Sequence, residues 1–270
     1  MGLFHPLSPL EKEWALLQKQ EARFLARRAE QNDALPDRTL AQRVPPKLQG
    51  ALDAAFIKAF SLVFEKGTGV IEKTYRRTQL EQDSQVARYA VEVKGNRTSI
   101  RAFQKKAAVT GARNLLLSGL SGVGLGAFGI GLPDIPLLTG LILKNIYEIA
   151  LRFGYGYETE EERYFILLLL QGAAARGEAI HPINEQADTY IFSGRLPPDY
   201  DRKVHIQETA TLLSRDLLYM KFLQGIPLVG AVGGAYDAVF MKRITHYATL
   251  KYRRRFLTEQ KRTRSAPPKF

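Results

Sequence analysis

Residues Gly111–Gly154 read GARNLLLSGLSGVGLGAFGIGLPDIPLLTGLILKNIYEIALRFG, and the reading of this stretch decides the fold. Leu115 to Pro133 carries no charge and is crowded with glycine, a poor helix former. Such a run makes physical sense where backbones approach closely, because Ser118, Gly122 and Gly126 at four-residue spacing leave one helix face almost flat. A second run, Ile226 to Ala238 (IPLVGAVGGAYDA), repeats the spacing with Gly230, Gly234 and Ala238. These six residues are expected to be helix-packing positions, with the two runs as partners or as paired lipid contacts. Beyond the first run, Pro133-Asp134-Ile135-Pro136 forces a turn, and Leu138, Leu141, Ile142, Ile146, Ile149, Ala150 and Phe153 mark one helical face that Gly154 terminates.

Working outward, Ser8, Pro9 and Glu11 form a helix start: capping hydroxyl, proline at the first position, carboxylate three on from the cap. The charged helix that follows, to about Glu30, has few apolar residues (Trp14, Leu17, Phe24, Leu25) and is expected on the outside of the domain. Pro36 and the Pro45-Pro46 pair make the next stretch a connector. From Lys47, the positions Leu48, Leu52, Ala55, Phe56, Ala59, Phe60, Val63 and Phe64 predict a core helix ending near Gly67. Val70 to Val93 is polar and compatible with helix, and Gly95-Asn96 breaks it. Arg97 to Arg113 then carries Arg97, Arg101 and Lys105 on one face, either a solvated face or one that meets phosphate or lipid headgroups.

Thr159 with Glu162 predicts a second capping box, and three glutamates in the first turn suit the helix dipole. Tyr164 to Ala175 is apolar nearly all round but about half the length of a membrane span, which makes it a buried core helix. Shorter and longer helices follow over Pro182–Phe192 and Asp199–Leu223. The second glycine run leads into a basic, aromatic helix bearing Tyr247, Tyr252 and Phe256, with a loose tail SAPPKF. No alternating strand pattern occurs, so the fold class is all-α, a multi-helix domain with two glycine-rich apolar helical segments. The organisation expected is an N-terminal helix and connector over 1–46, a helical domain over 47–257 and a basic tail over 258–270.

The 270 residues include no cysteine, which removes disulfides, thiol nucleophiles and thiolate metal sites and fits a reducing compartment. The first residues, MGLFHPLSPLEKEW, lack a basic segment followed by an apolar one, so no cleaved secretory signal is expected. The net charge of +12 is concentrated: Lys94 to Arg113 has six basic residues and no acid, and Lys242 to Phe270 has ten with only Glu259. These blocks flank the glycine runs, so the expected partner is an anionic membrane surface, met by Arg97, Arg101, Lys105, Arg253, Arg254 and Arg255, and not a nucleic acid.

Motifs for chemistry fail in context. Gly124, Gly126 and Gly129 spell a dinucleotide fingerprint without the flanking strand it needs. The histidines His5, His181, His205 and His246 are scattered, and Asp201, His205 and Glu208 read as a solvated polar face rather than a metal site. Asp134 reads as a helix cap rather than a catalytic acid. No cofactor, metal or catalytic residue is assigned.

The blocks RVPPKLQGALDAAFIKAFSLVFEKGTGVIEKTY, LPDIPLLTGLILKNIYEIALRFGYGYETEEERYFIL and QGIPLVGAVGGAYDAVFMKRITHYATLKYRRRFL resemble the EcsC family over essentially the whole chain. That family takes its name from an operon that also encodes the ATPase and membrane subunits of an ABC transporter, so the resemblance implies ABC transporter subunits as partners and carries over no catalytic or ligand residue. The function expected is a non-enzymatic, membrane-associated helical protein on the cytoplasmic face of the cell membrane, peripheral or monotopic, with an integral protein as the alternative location. The alternative function is a membrane-surface hydrolase acting on lipid or peptide.

Overall fold

A computed structural model describes residues 7–31, 46–66, 69–72, 75–105, 134–223 and 234–265, and among them the fold is all-α with no strand. Helix α1 spans Pro9–Ala29, α2 Pro46–Lys66, the short α3 Gly69–Glu72, α4 Arg77–Lys94 and α5 residues 97–105. Helices α6 (Asp134–Arg152), α7 (Glu160–Ala174), α8 (Ile180–Ser193), α9 (Arg202–Leu223) and α10 (Gly234–Ser265) complete the set. The expected packing residues Ser118, Gly122, Gly126 and Gly230 lie outside the described residues. Gly234 opens α10, but the surroundings of Gly234 and Ala238, and the side chain of Asp134, also lie outside them.

Local chemistry accounts for most helix ends. Glu11 N–H donates to Ser8 Oγ at 3.2 Å while Ser8 N–H donates to Glu11 Oε2 at 2.7 Å, the reciprocal box expected from the sequence. Gly95 (φ 55°) closes α4, and Asn96 caps α5 by accepting from Ser99 N–H at 2.8 Å. At Thr159 only half of the expected box forms. Its hydroxyl accepts from Glu162 N–H at 3.2 Å, but the Glu162 carboxylate turns inward to Tyr252 and Arg255 instead of returning to the cap.

The core runs through α2 (Leu52, Phe56, Phe60, Phe64), α6 and all of α7 from Tyr164 to Ala174. Helix α7 sits at the centre, against α8, α9 and α10. Gly172 lets the α7 backbone lie against α10, because a Cβ there would run into the Tyr247 ring. Helix α1 is not an outlying element: Leu10 and Leu17 are buried, and α1 packs on α10 and α8. Its inward face is unusual in also burying Glu13, Glu21 and Arg28, so the contact is largely ionic.

Candidate functional site: the cationic faces of the bundle

Pairwise contacts fix the helix directions. Asn145 on α6 donates to Thr245 Oγ1 on α10 at 2.7 Å, and Phe153 stacks near Tyr252, so partners advance together and α6 runs parallel to α10. Against α10, α1 is antiparallel: Trp14 lies under Lys261, Glu21 pairs with Arg254, and Phe24 stacks on Tyr247. Helix α7 is antiparallel too, through Glu162 with Arg255 and Phe165 with Tyr252, while α9 runs alongside α7 through Tyr164 with His205 and Gln171 with Thr209. The starts of α6 and α10 and the ends of α1, α7 and α9 therefore share one end of the bundle.

At that end Asp216 on α9 is a hub for three cations. It accepts from Arg176, just beyond α7, and from Arg243 on α10, and Arg28 on α1 lies 3.9 Å away. Arg28 also donates to the Ala174 and Ala175 carbonyls at 2.7 and 2.9 Å, satisfying the last carbonyls of α7 at the negative end of its dipole. Burial and the neighbouring Arg176 depress Arg28 to about 9, and burial with Arg28 and Arg176 depresses Arg243 as well. Around this buried group Arg27, Arg215 and Lys242 are exposed.

A second hub is Glu13. Arg97 and Arg101 on α5 donate to its Oε1 at 2.7 and 2.8 Å, and Arg253 on α10 donates to its Oε2 at 3.0 Å. Burial raises the Glu13 carboxyl, but hydrogen bonds from Arg97 and Arg101 and the charge of Arg253 outweigh it and leave the group below the usual range. Lys105 is exposed at the end of the same stripe.

The expectation for Arg253, Arg254 and Arg255 as lipid contacts is corrected. Each turns inward: Arg253 to Glu13 and Gln20, Arg254 to Glu21 and Asp188, Arg255 to Glu162. Tyr252 and Phe256 beside them are fully buried, and so is Lys251, paired with Asp188 at 2.6 Å. The physical reason is that a buried carboxylate is stable only when paired: α1 brings buried Glu13 and Glu21 and α7 brings buried Glu162 against this stretch of α10, and α8 adds the half-buried Asp188. Charge density along the sequence marks these residues as cationic. The hints of their partners were local ones, the four-residue spacing of Glu13, Leu17 and Glu21 and the acidic first turn of α7.

The polar set Asp201, His205 and Glu208 does not converge on a site. Asp201 caps α9 by accepting from Lys203 and Val204 N–H groups, and His205 packs at a tilt against Tyr164 and edge-on to Tyr200, with Nδ1 3.5 Å from Glu208. Among the described residues no group of histidine and carboxylate side chains fits a metal ion. A cleft of about 560 Å³ lies over Tyr155, between Arg88, Arg255 and Glu259, but its charged walls pair with one another: Arg88 meets Glu259 at 2.9 Å and the Phe153 carbonyl at 2.8 Å. No helix among the described residues is long and apolar enough to cross a membrane.

Comparison with known proteins adds a family and little else. The Uncharacterized protein YdbA of Bacillus subtilis (strain 168) is 29% identical over 142 residues, a match that covers 52% of this chain and 51% of that protein. The chain thus spans about half the length of this curated relative. No solved structure matches. The model of the EcsC protein family matches residues 11–257, from the first turn of α1 to Leu257 on α10, and the chain belongs to that family.

Proposed function

We propose that this protein is a non-enzymatic, membrane-associated helical protein acting on the cytoplasmic face of the cell membrane as an accessory to an ABC transporter. One observation carries the membrane part of this reading. Helices α6 and α10 are parallel and in register at Asn145 and Thr245, so the starts of both helices, which the apolar glycine-rich runs lead into in sequence, lie at the same end of the bundle. The exposed cations Arg27, Arg215 and Lys242 are borne by helices ending or starting there, about 12 Å or less along the helix from that end at 1.5 Å per residue. Apolar sequence next to exposed cations is the combination that an anionic membrane surface favours. The accessory role rests on family membership.

Cell fractionation followed by salt and carbonate washing tests the membrane reading. The parent chain is expected in the membrane fraction and to resist salt. Replacing Leu117 and Ile130 by aspartate, each costing about 3 kcal/mol in hydrocarbon, is expected to release it. Recovery of the parent in the soluble fraction overturns the reading. Co-purification with the membrane subunits of an ABC transporter after detergent extraction tests the accessory role, and their absence from the purified material overturns it.

A further inference from the structure

Arg97 and Arg101 are tied to the bundle through one end of each guanidinium. Both use Nε to donate to the same oxygen, Glu13 Oε1, at 2.7 and 2.8 Å, which brings the two guanidiniums to one atom. Their side chains are 40% and 52% exposed whereas Glu13 is 1% exposed, so the anchor is buried and the terminal nitrogens face outward. Among the described residues those terminal nitrogens donate to no protein acceptor. Glu13 also serves Arg253, so three guanidiniums share a single carboxylate, and the exposed Lys105 adds a further cation one turn along α5. Excess positive charge thus accumulates on a face where two guanidinium forks are already oriented.

We infer that Arg97 and Arg101 form a clamp for the phosphate of an anionic lipid headgroup, with a phosphate monoester as the best match, and that Glu13 is its positioning residue. Paired guanidinium forks suit tetrahedral phosphate oxygens through parallel charge-assisted hydrogen bonds, which a single carboxylate does not exploit as fully. Two features favour a lipid over a free phosphate. The preceding helix α4 exposes Val86, Tyr89 and Val93 along one face, at 71%, 67% and 64%. The sequence after α5 leads into the uncharged run that begins at Leu115. The inference rests on the membrane reading above and gives it a specific headgroup chemistry.

Co-sedimentation of the full chain with three vesicle types tests it: phosphatidylcholine alone, and phosphatidylcholine with phosphatidic acid or with phosphatidylserine at matched surface charge. The parent is expected to prefer phosphatidic acid. The double variant Arg97→Lys with Arg101→Lys keeps the charge but loses the forks, and is expected to bind both anionic vesicles equally. Arg97→Gln with Arg101→Gln removes two surface cations and is expected to bind about thirtyfold more weakly at low salt, with a smaller loss at high salt. Both variants leave Glu13 paired with Arg253; loss of Arg97 and Arg101 is expected to lower the unfolding midpoint of the glutamine variant, so binding is compared at a temperature below the midpoint of every variant, where circular dichroism verifies that each is folded. If the lysine variant retains the preference, the clamp is overturned while vesicle binding by the parent still supports the membrane reading. If the parent ignores every vesicle yet binds glycerol 3-phosphate in calorimetry, and the lysine variant does not, the lipid assignment is overturned and a soluble phosphate takes its place. If the parent binds neither, clamp and membrane reading both fall.

Discussion

Asn145 Nδ2 donates to Thr245 Oγ1 at 2.7 Å, one hundred residues away in sequence, and this bond locks the parallel register of α6 and α10. Thr245 in turn donates to the Met241 carbonyl at 2.7 Å, so its hydroxyl is used in both directions. Asn145 is 2% exposed, so its amide is shielded from solvent. Thr245→Val should therefore cost about 1–3 kcal/mol, the penalty of a buried donor left unpaired. Asn145→Leu combined with Thr245→Val should recover part of that loss. A double-mutant cycle in urea, with the two single variants as its other corners, measures the coupling; additive losses would show that the pair does not interact.

At Gly172 the α7 backbone lies directly against the Tyr247 ring of α10. Alanine is the better helix former by about 1 kcal/mol, so a surface glycine would be improved by the change. Here the added methyl meets the Tyr247 ring, which is buried and hydrogen-bonded through its hydroxyl to Asn184 at 3.1 Å and has no free direction to move. Overpacking of this kind costs about 1–3 kcal/mol. Gly172→Ala should lower the thermal midpoint. An unchanged or higher midpoint would mean that the helices slide apart at little cost.

Arg255 is paired with Glu162 at 2.6 Å and lies over the Tyr155 ring at 4.0 Å. Burial pushes the Glu162 carboxyl above the usual range, with Arg255 and the Tyr252 hydroxyl opposing that shift. Arg255→Gln leaves Glu162 with Tyr252 as its main partner and should destabilise the protein by about 3–5 kcal/mol. A surface arginine would change stability by less than about 1 kcal/mol. Chemical denaturation separates the two magnitudes directly.

His205 provides a pH test. Burial between Tyr164 and Tyr200 depresses its imidazole to about 4, against about 6.5 for an exposed histidine. As pH falls below 6.5, the unfolded chain takes up the proton first, so the stability that neutral His205 contributes is complete above pH 6.5 and is lost progressively toward pH 4. The loss should be about 2–3 kcal/mol. His205→Phe keeps a ring in the stack and cannot titrate. Unfolding free energies at pH 7.5 and 4.5 should fall by about that much more in the parent than in the variant; equal slopes would show that His205 is protonated as readily in the folded protein as in the unfolded one.

By itself the sequence determined what depends on neighbours along the chain. The capping box at Ser8 and Glu11, the break at Gly95-Asn96, the stop at Gly154 with φ 81°, and the buried faces of α2, α6 and α7 all follow from periodicity and cap chemistry within a few residues. Family membership was legible for the same reason, because it rests on local blocks. Tertiary structure decided where the charges point. Arg253, Arg254 and Arg255 are as cationic in sequence as Arg97 and Arg101, yet the first three are drawn inward by carboxylates from α1, α7 and α8, while Arg97 and Arg101 stay half-exposed and meet Glu13 through Nε. Only packing distinguishes them, because Glu13 and Arg253 stand 240 residues apart and a buried charge takes its stability from a partner that local sequence cannot name.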